Sequence, residues 1–154
     1  MNGEWGFAPD PGDRGLAERW WEKRSFAGTI VVPFPVESEL SGVGDQNPPP
    51  VIWYAVNFEL DSGLADDPSP HRLLLHFGAV DYQAAVWLNG IKLGEHVGGY
   101  SPFSFDVTEA VKPSDNLLAV RVFDSKDPMQ VRGKQTTTGK SYSIFYTTVS
   151  GIWQ

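Results

Sequence analysis

The chain has 154 residues, a net charge of −7 and no cysteine. This length fits a single domain with its own core, and the absence of cysteine excludes disulfides and thiolate metal sites. The acidic balance and the scattered Lys and Arg argue against a nucleic-acid partner, because phosphates are bound by clustered basic residues. No apolar run approaches the ~20 residues that a membrane helix needs, so we expect no membrane partner. The acidic, Gly- and Pro-containing start is unlike a secretory signal, and we expect a cytoplasmic protein.

The first half of the chain contains one helical candidate and one clear strand. RGLAERWWEKR (14–24) is the helical candidate, although its register leaves Trp20 and Trp21 on adjacent faces. VIWYAVNFEL (51–60) alternates with period two, which is typical of a half-buried strand. The predicted inner face carries Ile52, Tyr54, Val56, Phe58 and Leu60.

The middle of the chain predicts a loop, two strands and a tight hairpin. DSGLADDPSP (61–70) is rich in turn-forming residues, and HRLLLHF (71–77) predicts the strand that follows this loop. YQAAVWLN (82–89) predicts another strand, whose inner face carries Ala84, Val86 and Leu88. Asn89-Gly90 predicts a type I′ turn after it, because both residue types tolerate positive φ.

The last third predicts further short strands. FSFDV (103–107) and NLLAVRVFD (116–124) are strand-like, and SYSIFYTTVSGIWQ (141–154) offers one or two more. Many short strands separated by Gly and Pro predict an all-β fold. We therefore expect one domain over 1–154, an antiparallel β-sandwich of jelly-roll type with at most one or two short helices.

The histidines do not form a metal site or a catalytic set. His71 and His76 are five residues apart on one predicted strand, so they point to opposite faces and cannot chelate one ion. His96 follows the hairpin, where it can face solvent or a ligand. The nucleotide, zinc-protease and serine-hydrolase motifs are absent from the sequence, and we predict no metal and no cofactor.

The carboxylates do not form an obvious acid–base pair. Glu37 and Glu39 would be close neighbours on one surface, and Asp66 and Asp67 lie in a predicted loop. Glycoside hydrolysis needs two carboxylates across a cleft, which neither pair provides. We interpret all four as solvated charges.

Residues 71–107, HRLLLHFGAVDYQAAVWLNGIKLGEHVGGYSPFSFDV, carry a long and specific pattern. It resembles the sugar-binding domain of glycoside hydrolase family 2, which contains β-galactosidases, β-glucuronidases and β-mannosidases. The likeness extends over essentially the whole chain, through NGEWGFAPDP (2–11), AERWW (17–21), VPFPVESELSG (32–42), RGKQ (132–135) and IFYTTVSGIWQ (144–154).

The resemblance implies a jelly-roll domain that is not itself catalytic. The family keeps its catalytic glutamates in a TIM barrel outside a chain such as this one, so we expect a fragment of a longer retaining β-glycosidase. The implied partners are carbohydrate and the downstream immunoglobulin-like and TIM-barrel domains of that enzyme, and the resemblance allows a homo-oligomer. Which sugar is cleaved is left open, because the barrel selects it.

The resemblance also suggests residues at the edge of a sugar site. Galactosidase and glucuronidase relatives carry an Asp five residues before the Ser or Ala of their [SA]-G-I motif, where it contacts substrate directly or through a cation. Here the motif begins at Ser150, and the corresponding position is Phe145. Phe145 offers a stacking face or is part of the core, while Arg132, Lys134 and Gln135 can donate to sugar hydroxyls or to a sugar carboxylate.

Two alternatives stay open beside the accessory-domain hypothesis. An autonomous carbohydrate-binding module would stack sugar on an exposed aromatic ring, with Trp87, Tyr82 and Tyr100 as candidates and His96 as a further contact. A structural interface domain would instead expose a large apolar patch that other domains of the enzyme cover.

Overall fold

The computed structural model describes residues 1–61, 63, 72–127, 129–136 and 138–154. Its strands in chain order are β1 (Gly3–Pro9), β2 (Gly28–Val32), β3 (Val51–Phe58), β4 (Leu74–Phe77), β5 (Val80–Asp81), β6 (Gln83–Leu88), β7 (Ile91–Val97), β8 (Phe103–Asp106), β9 (Asn116–Phe123) and β10 (Gly151–Ile152). Short 3-10 helices span Trp20–Glu22 and Glu39–Ser41. Most of the predicted loop 61–70, with Asp66 and Asp67, lies outside the described residues, as does His71.

The strands form two antiparallel layers. A six-stranded sheet has the order β2-β1-β3-β9-β6-β7, and the pairs β10-β5 and β4-β8 form the smaller opposite layer. The strand pairings between these named strands are antiparallel. This arrangement confirms the predicted all-β sandwich.

The main core lies between the two layers. Alternation along β6 and β9 directs one side-chain face inward, as the sequence pattern predicts. The inward residues of these strands are buried: Ala84, Val86, Leu88, Leu118, Val120 and Val122. They pack with Phe77, Val80, Val107 and Ile152 of the opposite layer.

A second apolar cluster covers the outer face of the six-stranded sheet. Trp53 and Trp87 are buried there, and Trp20, Trp21 and Phe26 of the segment before β2 pack over them. The expectation that β3 is half-buried is therefore wrong for its first part, because residues 51–55 are buried on both faces.

The predicted helix over 14–24 is reduced to the 3-10 helix Trp20–Glu22. The carboxylate of Asp10 accepts hydrogen bonds from the backbone N–H groups of Arg14 and Gly15 at 2.9 and 2.8 Å. The same carboxylate accepts from the Trp53 indole at 3.1 Å, which ties this segment to the sheet. Arg19 has a φ of +53°, which is incompatible with a continuous right-handed helix.

The predicted hairpin turn is confirmed. Asn89 and Gly90 have φ values of +53° and +83°, as a type I′ turn requires. The Asn89 side chain donates to the carbonyl of Ala110 at 2.8 Å and accepts from the backbone N–H of Leu117 at 2.9 Å. These bonds fix the turn against the neighbouring strand.

The C-terminal segment contains less strand than the sequence pattern predicts. Within 141–154 the structure forms β10 and single bridges, Gln135 with Tyr146 and Tyr142 with Phe145. The backbone N–H groups of Val149 and Ser150 donate to the side chains of Gln135 and Glu37 instead of to a neighbouring strand.

Candidate functional site

One end of the six-stranded sheet gathers polar and aromatic side chains from distant parts of the chain. Gln83 pairs with Phe123 and with Val97, so the start of β6 lies beside the ends of β9 and β7. Asp81, Tyr100 and Asp124, next to those strand ends, therefore meet at this end. The Asn89-Gly90 turn lies at the opposite end, where Leu88 pairs with Leu118. We call the first end the site end.

Gln135 lies in the centre of the site end and is buried. Its amide nitrogen donates to Asp81 Oδ2 at 2.7 Å and to the Tyr100 hydroxyl at 3.0 Å. Its amide oxygen accepts from the backbone N–H of Val149 at 2.9 Å. All of these bonds are internal, so the structure corrects the expectation that Gln135 faces a sugar.

Tyr100 links Gln135 to the surface and is 49% exposed. Its hydroxyl donates to the Arg132 carbonyl at 3.0 Å and lies 3.4 Å from the Tyr146 hydroxyl. Partial burial, together with Tyr146, raises the pKa of Tyr100 to about 12. Gly133 has a φ of +60°, and an added Cβ would lie 3.3 Å from the Tyr100 hydroxyl, so glycine allows the loop to pass closely.

Four exposed apolar and aromatic side chains follow Tyr100 along the surface. We call this group the aromatic rim; its members are Tyr142, Ile144, Phe145 and Tyr146. The rim is fixed to the loop that carries Lys134, because Tyr146 N–H donates to the Lys134 carbonyl at 3.1 Å. Tyr146 also accepts from Thr136 N–H at 2.7 Å. The Tyr142 and Phe145 rings lie 5.2 Å apart, and Lys134 is exposed.

Three predicted contacts take other positions. Trp87 is 5% exposed and stacks against Trp21 and Trp53, so it has no free face for a sugar. The Arg132 side chain is largely buried, and its Nη2 lies 3.7 Å from Asp124 Oδ1. His96 is half-buried and stacks on Phe103 at 4.2 Å. The structure thus corrects the expected exposure of Trp87 and Arg132.

Lys134, Phe145, Tyr100 and His96 have accessible surface, and their contact with carbohydrate stays a prediction. Phe145 is 37% exposed, so its ring is not fully buried, and the idea that it stacks on a sugar stays a prediction. Tyr82, another stacking candidate, is half-buried.

A buried acidic cluster lies behind the rim, and the sequence analysis did not identify it. Glu37, interpreted as a solvated charge, is 5% exposed. Its carboxylate accepts from the backbone N–H of Ser150 at 2.9 Å and contacts the Ser150 hydroxyl at 2.7 Å. The same hydroxyl lies 2.6 Å from Asp124 Oδ2. The buried Asp81 completes the cluster.

Burial dominates the electrostatics of this cluster. Desolvation raises the pKa of Glu37, although hydrogen bonds from Ser150 act in the opposite direction. Desolvation likewise raises the pKa of Asp81 to about 6, against the hydrogen bond from Gln135. Within the described residues, no group of three or more His, Cys, Asp or Glu side chains is arranged to hold a metal ion. None of the helices in the described residues is long and apolar enough to cross a membrane.

The fold and sequence were compared with known families. The profile of the glycosyl hydrolases family 2 sugar-binding domain matches residues 1–154. The chain belongs to this family. The family 2 domain has the sandwich architecture described above, and its match covers both the site end and the hairpin end of the sheet.

Curated relatives of this family 2 domain are much longer proteins. The β-glucuronidase of Paenibacillus borealis is 29% identical over 79% of this chain and 20% of its own length. Human β-glucuronidase is 29% identical over 83% of the chain and 21% of its length. A β-galactosidase of Thermoanaerobacter pseudethanolicus is 40% identical over 50% of the chain and 10% of its length. The chain thus spans about a fifth of the glucuronidases that it matches.

Solved structures agree with this assignment. Lactobacillus rhamnosus β-glucuronidase superposes with a TM-score of 0.71 and 26% identity over 82% of this chain and 21% of its own. A β-glucuronidase of an uncultured Clostridium superposes with a TM-score of 0.66 and 31% identity, over 80% of this chain and 21% of its own. The sandwich is therefore a domain that known β-glucuronidases contain.

Proposed function

We propose that this domain is a non-catalytic accessory part of a multidomain β-glycosidase, in which the site end forms part of the active-site rim. The aromatic rim carries this proposal, because it holds four exposed apolar or aromatic side chains on one short, hydrogen-bonded segment. Exposed apolar patches of this kind are typical of ligand or domain contacts. The names of the similar β-glucuronidases and β-galactosidases support a glycoside as the substrate of the parent enzyme.

The aromatic rim and the loop bonded to it offer two kinds of group that fit a sugar. The Tyr142–Phe145 ring pair offers apolar surface to the C–H face of a sugar or to an apolar aglycone. Lys134 carries an exposed ammonium group that can donate to a hydroxyl or to a sugar carboxylate. The position five residues before Ser150 holds Phe145, so this domain would contribute apolar contact there rather than a charge.

The parent reaction is proposed to be hydrolysis with retention, using two carboxylates outside this chain. A retaining enzyme needs two carboxyl groups roughly 5 Å apart across an open site. Glu37 and Asp124 are joined through Ser150, but all three are enclosed within the domain. They are therefore unsuited to attack a glycosidic bond.

Activity of the 154-residue chain alone tests this proposal. The purified domain should not hydrolyse aryl β-glucuronides, aryl β-galactosides or aryl β-mannosides. Glu37→Gln and Asp124→Asn serve as controls, because a trace of contaminating enzyme would be unaffected by them. Turnover that these changes abolish while the domain stays folded would overturn the proposal.

An autonomous carbohydrate-binding module is the second candidate, favoured by the open Tyr142–Phe145 ring pair. Titration calorimetry with glucuronides, galactosides and mannosides distinguishes it from an accessory domain. Heat that saturates at millimolar sugar and disappears in Phe145→Ala would support the module. Flat traces would leave the rim as a surface for the proposed immunoglobulin-like and barrel domains or for a second copy of the chain.

A further inference from the structure

The Ser150 hydroxyl makes two short contacts that one proton cannot satisfy. It lies 2.7 Å from Glu37 Oε1 and 2.6 Å from Asp124 Oδ2. A serine hydroxyl has one hydrogen to donate, and an ionised carboxylate can only accept. If both carboxylates were ionised, one of these contacts would be an oxygen–oxygen approach without a hydrogen between the atoms. The geometry therefore requires a second proton.

The surroundings place the negative charge on Asp124. Its Oδ1 accepts from the side-chain amide of Gln130 at 2.5 Å and lies 3.7 Å from Arg132 Nη2. A nearby cation and an amide donor both favour a carboxylate over a carboxylic acid. Glu37 accepts from the backbone N–H of Ser150, and the Arg132 guanidinium pairs with Asp124 rather than with Glu37.

The other titratable groups around Glu37 add to this preference. Asp81 lies in the same enclosed region, where desolvation raises its pKa and repulsion from an ionised Glu37 adds to this rise. Burial, and to a smaller extent Glu37, raise the pKa of the nearby Tyr54 hydroxyl, so this group stays neutral and supplies no positive charge. Among the described residues of this cluster, the guanidinium of Arg132 lies beside Asp124, while Glu37 and Asp81 are two further buried carboxylates. Taking up a proton relieves this excess of buried negative charge.

We propose that Glu37 carries a proton in the folded domain and donates it to the Ser150 hydroxyl, which in turn donates to the carboxylate of Asp124. We call these three residues the proton latch. The latch joins the loop after β2, the residue after β9 and the residue before β10. Ser150 is 113 residues from Glu37 and 26 residues from Asp124 along the chain. The latch therefore fastens the segment that carries the aromatic rim to the sheet.

The latch makes the attachment of the rim sensitive to pH. Desolvation raises the pKa of Glu37 above its usual 4.5, so the folded state holds this proton more tightly than the unfolded state. The stabilisation is complete below the unfolded pKa and is lost as the pH rises through the folded pKa. Above that pH the ionised Glu37 repels Asp124, and the contact at Ser150 loses its donor.

Glu37→Gln reproduces the proposed state without a titrating group. The glutamine amide can donate to the Ser150 hydroxyl and accept from Ser150 N–H, as protonated Glu37 does. Asp124→Asn is the matched control. Its amide would donate to the Ser150 hydroxyl, which would then have to donate its own proton to Glu37. Glu37 would therefore have to be ionised while it is buried. We expect Glu37→Gln to stay folded and Asp124→Asn to melt at a lower temperature at pH 7.

The pH dependence of unfolding gives the quantitative test. Chemical unfolding of the 154-residue chain should be measured from pH 4.5 to 8 in an Asp81→Asn background, which removes the other raised carboxyl. The unfolding equilibrium constant should rise about tenfold for each unit by which the folded pKa of Glu37 exceeds its usual value. Adding Glu37→Gln should abolish that rise. An unchanged pH slope after this addition would overturn the proposal.

A measurement on the wild-type chain does not depend on how the variants fold. The ¹³C chemical shift of the Glu37 carboxyl carbon, assigned by comparison with Glu37→Gln, reports the protonation state directly. We expect it to stay at the value of a protonated acid as the pH rises past 4.5, the usual pKa of a glutamate. If Glu37 ionises at or below that pH, the latch does not exist.

Discussion

Replacing Gln135 with leucine tests whether this side chain is a structural centre or a ligand contact. The change removes the donors to Asp81 and Tyr100 and the acceptor for Val149 N–H. A hydrogen bond to a charged group contributes about 1.5–3 kcal/mol, and a buried donor left without a partner costs about 1–3 kcal/mol. Asp81 can take up a proton, which limits the loss on that side. We therefore expect Gln135→Leu to lower the free energy of unfolding by roughly 3–5 kcal/mol.

Urea denaturation followed by tryptophan fluorescence measures this loss. Lys134→Ala is the neighbouring control, because its side chain is exposed and its backbone bond to Tyr146 is kept, so we expect a change within about 0.5 kcal/mol. Gln135→Glu gives a second readout. Its added carboxyl would face Asp81 Oδ2, so it should be tolerated at acidic pH and increasingly destabilising as the pH rises. A stability of Gln135→Leu within about 1 kcal/mol of wild type would refute the structural role.

Three further changes test separate features. Gly90→Val should lower the free energy of unfolding by about 1 kcal/mol or more, because a β-branched residue resists a φ of +83°, and an unchanged melting temperature would contradict this. Trp87→Ala should lower the free energy of unfolding by about 3–5 kcal/mol, because it removes the buried ring between the sheet and the aromatic residues that cover it. A folded variant of equal stability would show that Trp87 is not a core residue. The pKa of Asp81 is raised to about 6, so the folded state prefers its neutral form, and the free energy of unfolding of the wild type should fall by roughly 3 kcal/mol as the pH rises through about 6. Asp81→Asn should abolish this fall. Parallel pH-dependent melts of wild type and variant check the last of these, and curves with a constant separation would count against it.

Local patterns predicted those parts of the fold that local chemistry determines. Alternation identified the inward faces of β6 and β9, and Asn89-Gly90 identified the turn, because strand geometry and positive φ depend on neighbouring residues. The predicted helix over 14–24 is wrong because the backbone is left-handed at Arg19, where φ is +53°. Trp20 and Trp21, which follow it, pack over Trp53 and Trp87 on the sheet. These partners lie on distant strands, which a local pattern does not contain.

The candidate site was less predictable for the same reason. Gln135 and Arg132 lie in a loop whose sequence suggests exposed polar groups, but their partners Asp81 and Asp124 turn them inward. The burial of Glu37 depends on Ser150, 113 residues further along the chain. The resemblance of IFYTTVSGIWQ to a known motif drew attention to Phe145, and the structure adds that this ring is partly exposed beside Tyr142.

The most direct test of the proposed role is steady-state kinetics on a polypeptide that joins this domain to the further domains of the proposed parent enzyme. Phe145→Ala removes one ring of the aromatic rim, and Ile91→Ala, exposed at the opposite end of the sheet, is the matched control. Loss of an aromatic contact of about 1–1.5 kcal/mol should lower kcat/KM for an aryl glycoside about tenfold, with unchanged melting temperature. The control should retain wild-type kinetics. Equal kcat/KM for both variants and wild type would contradict a rim that forms part of the active site.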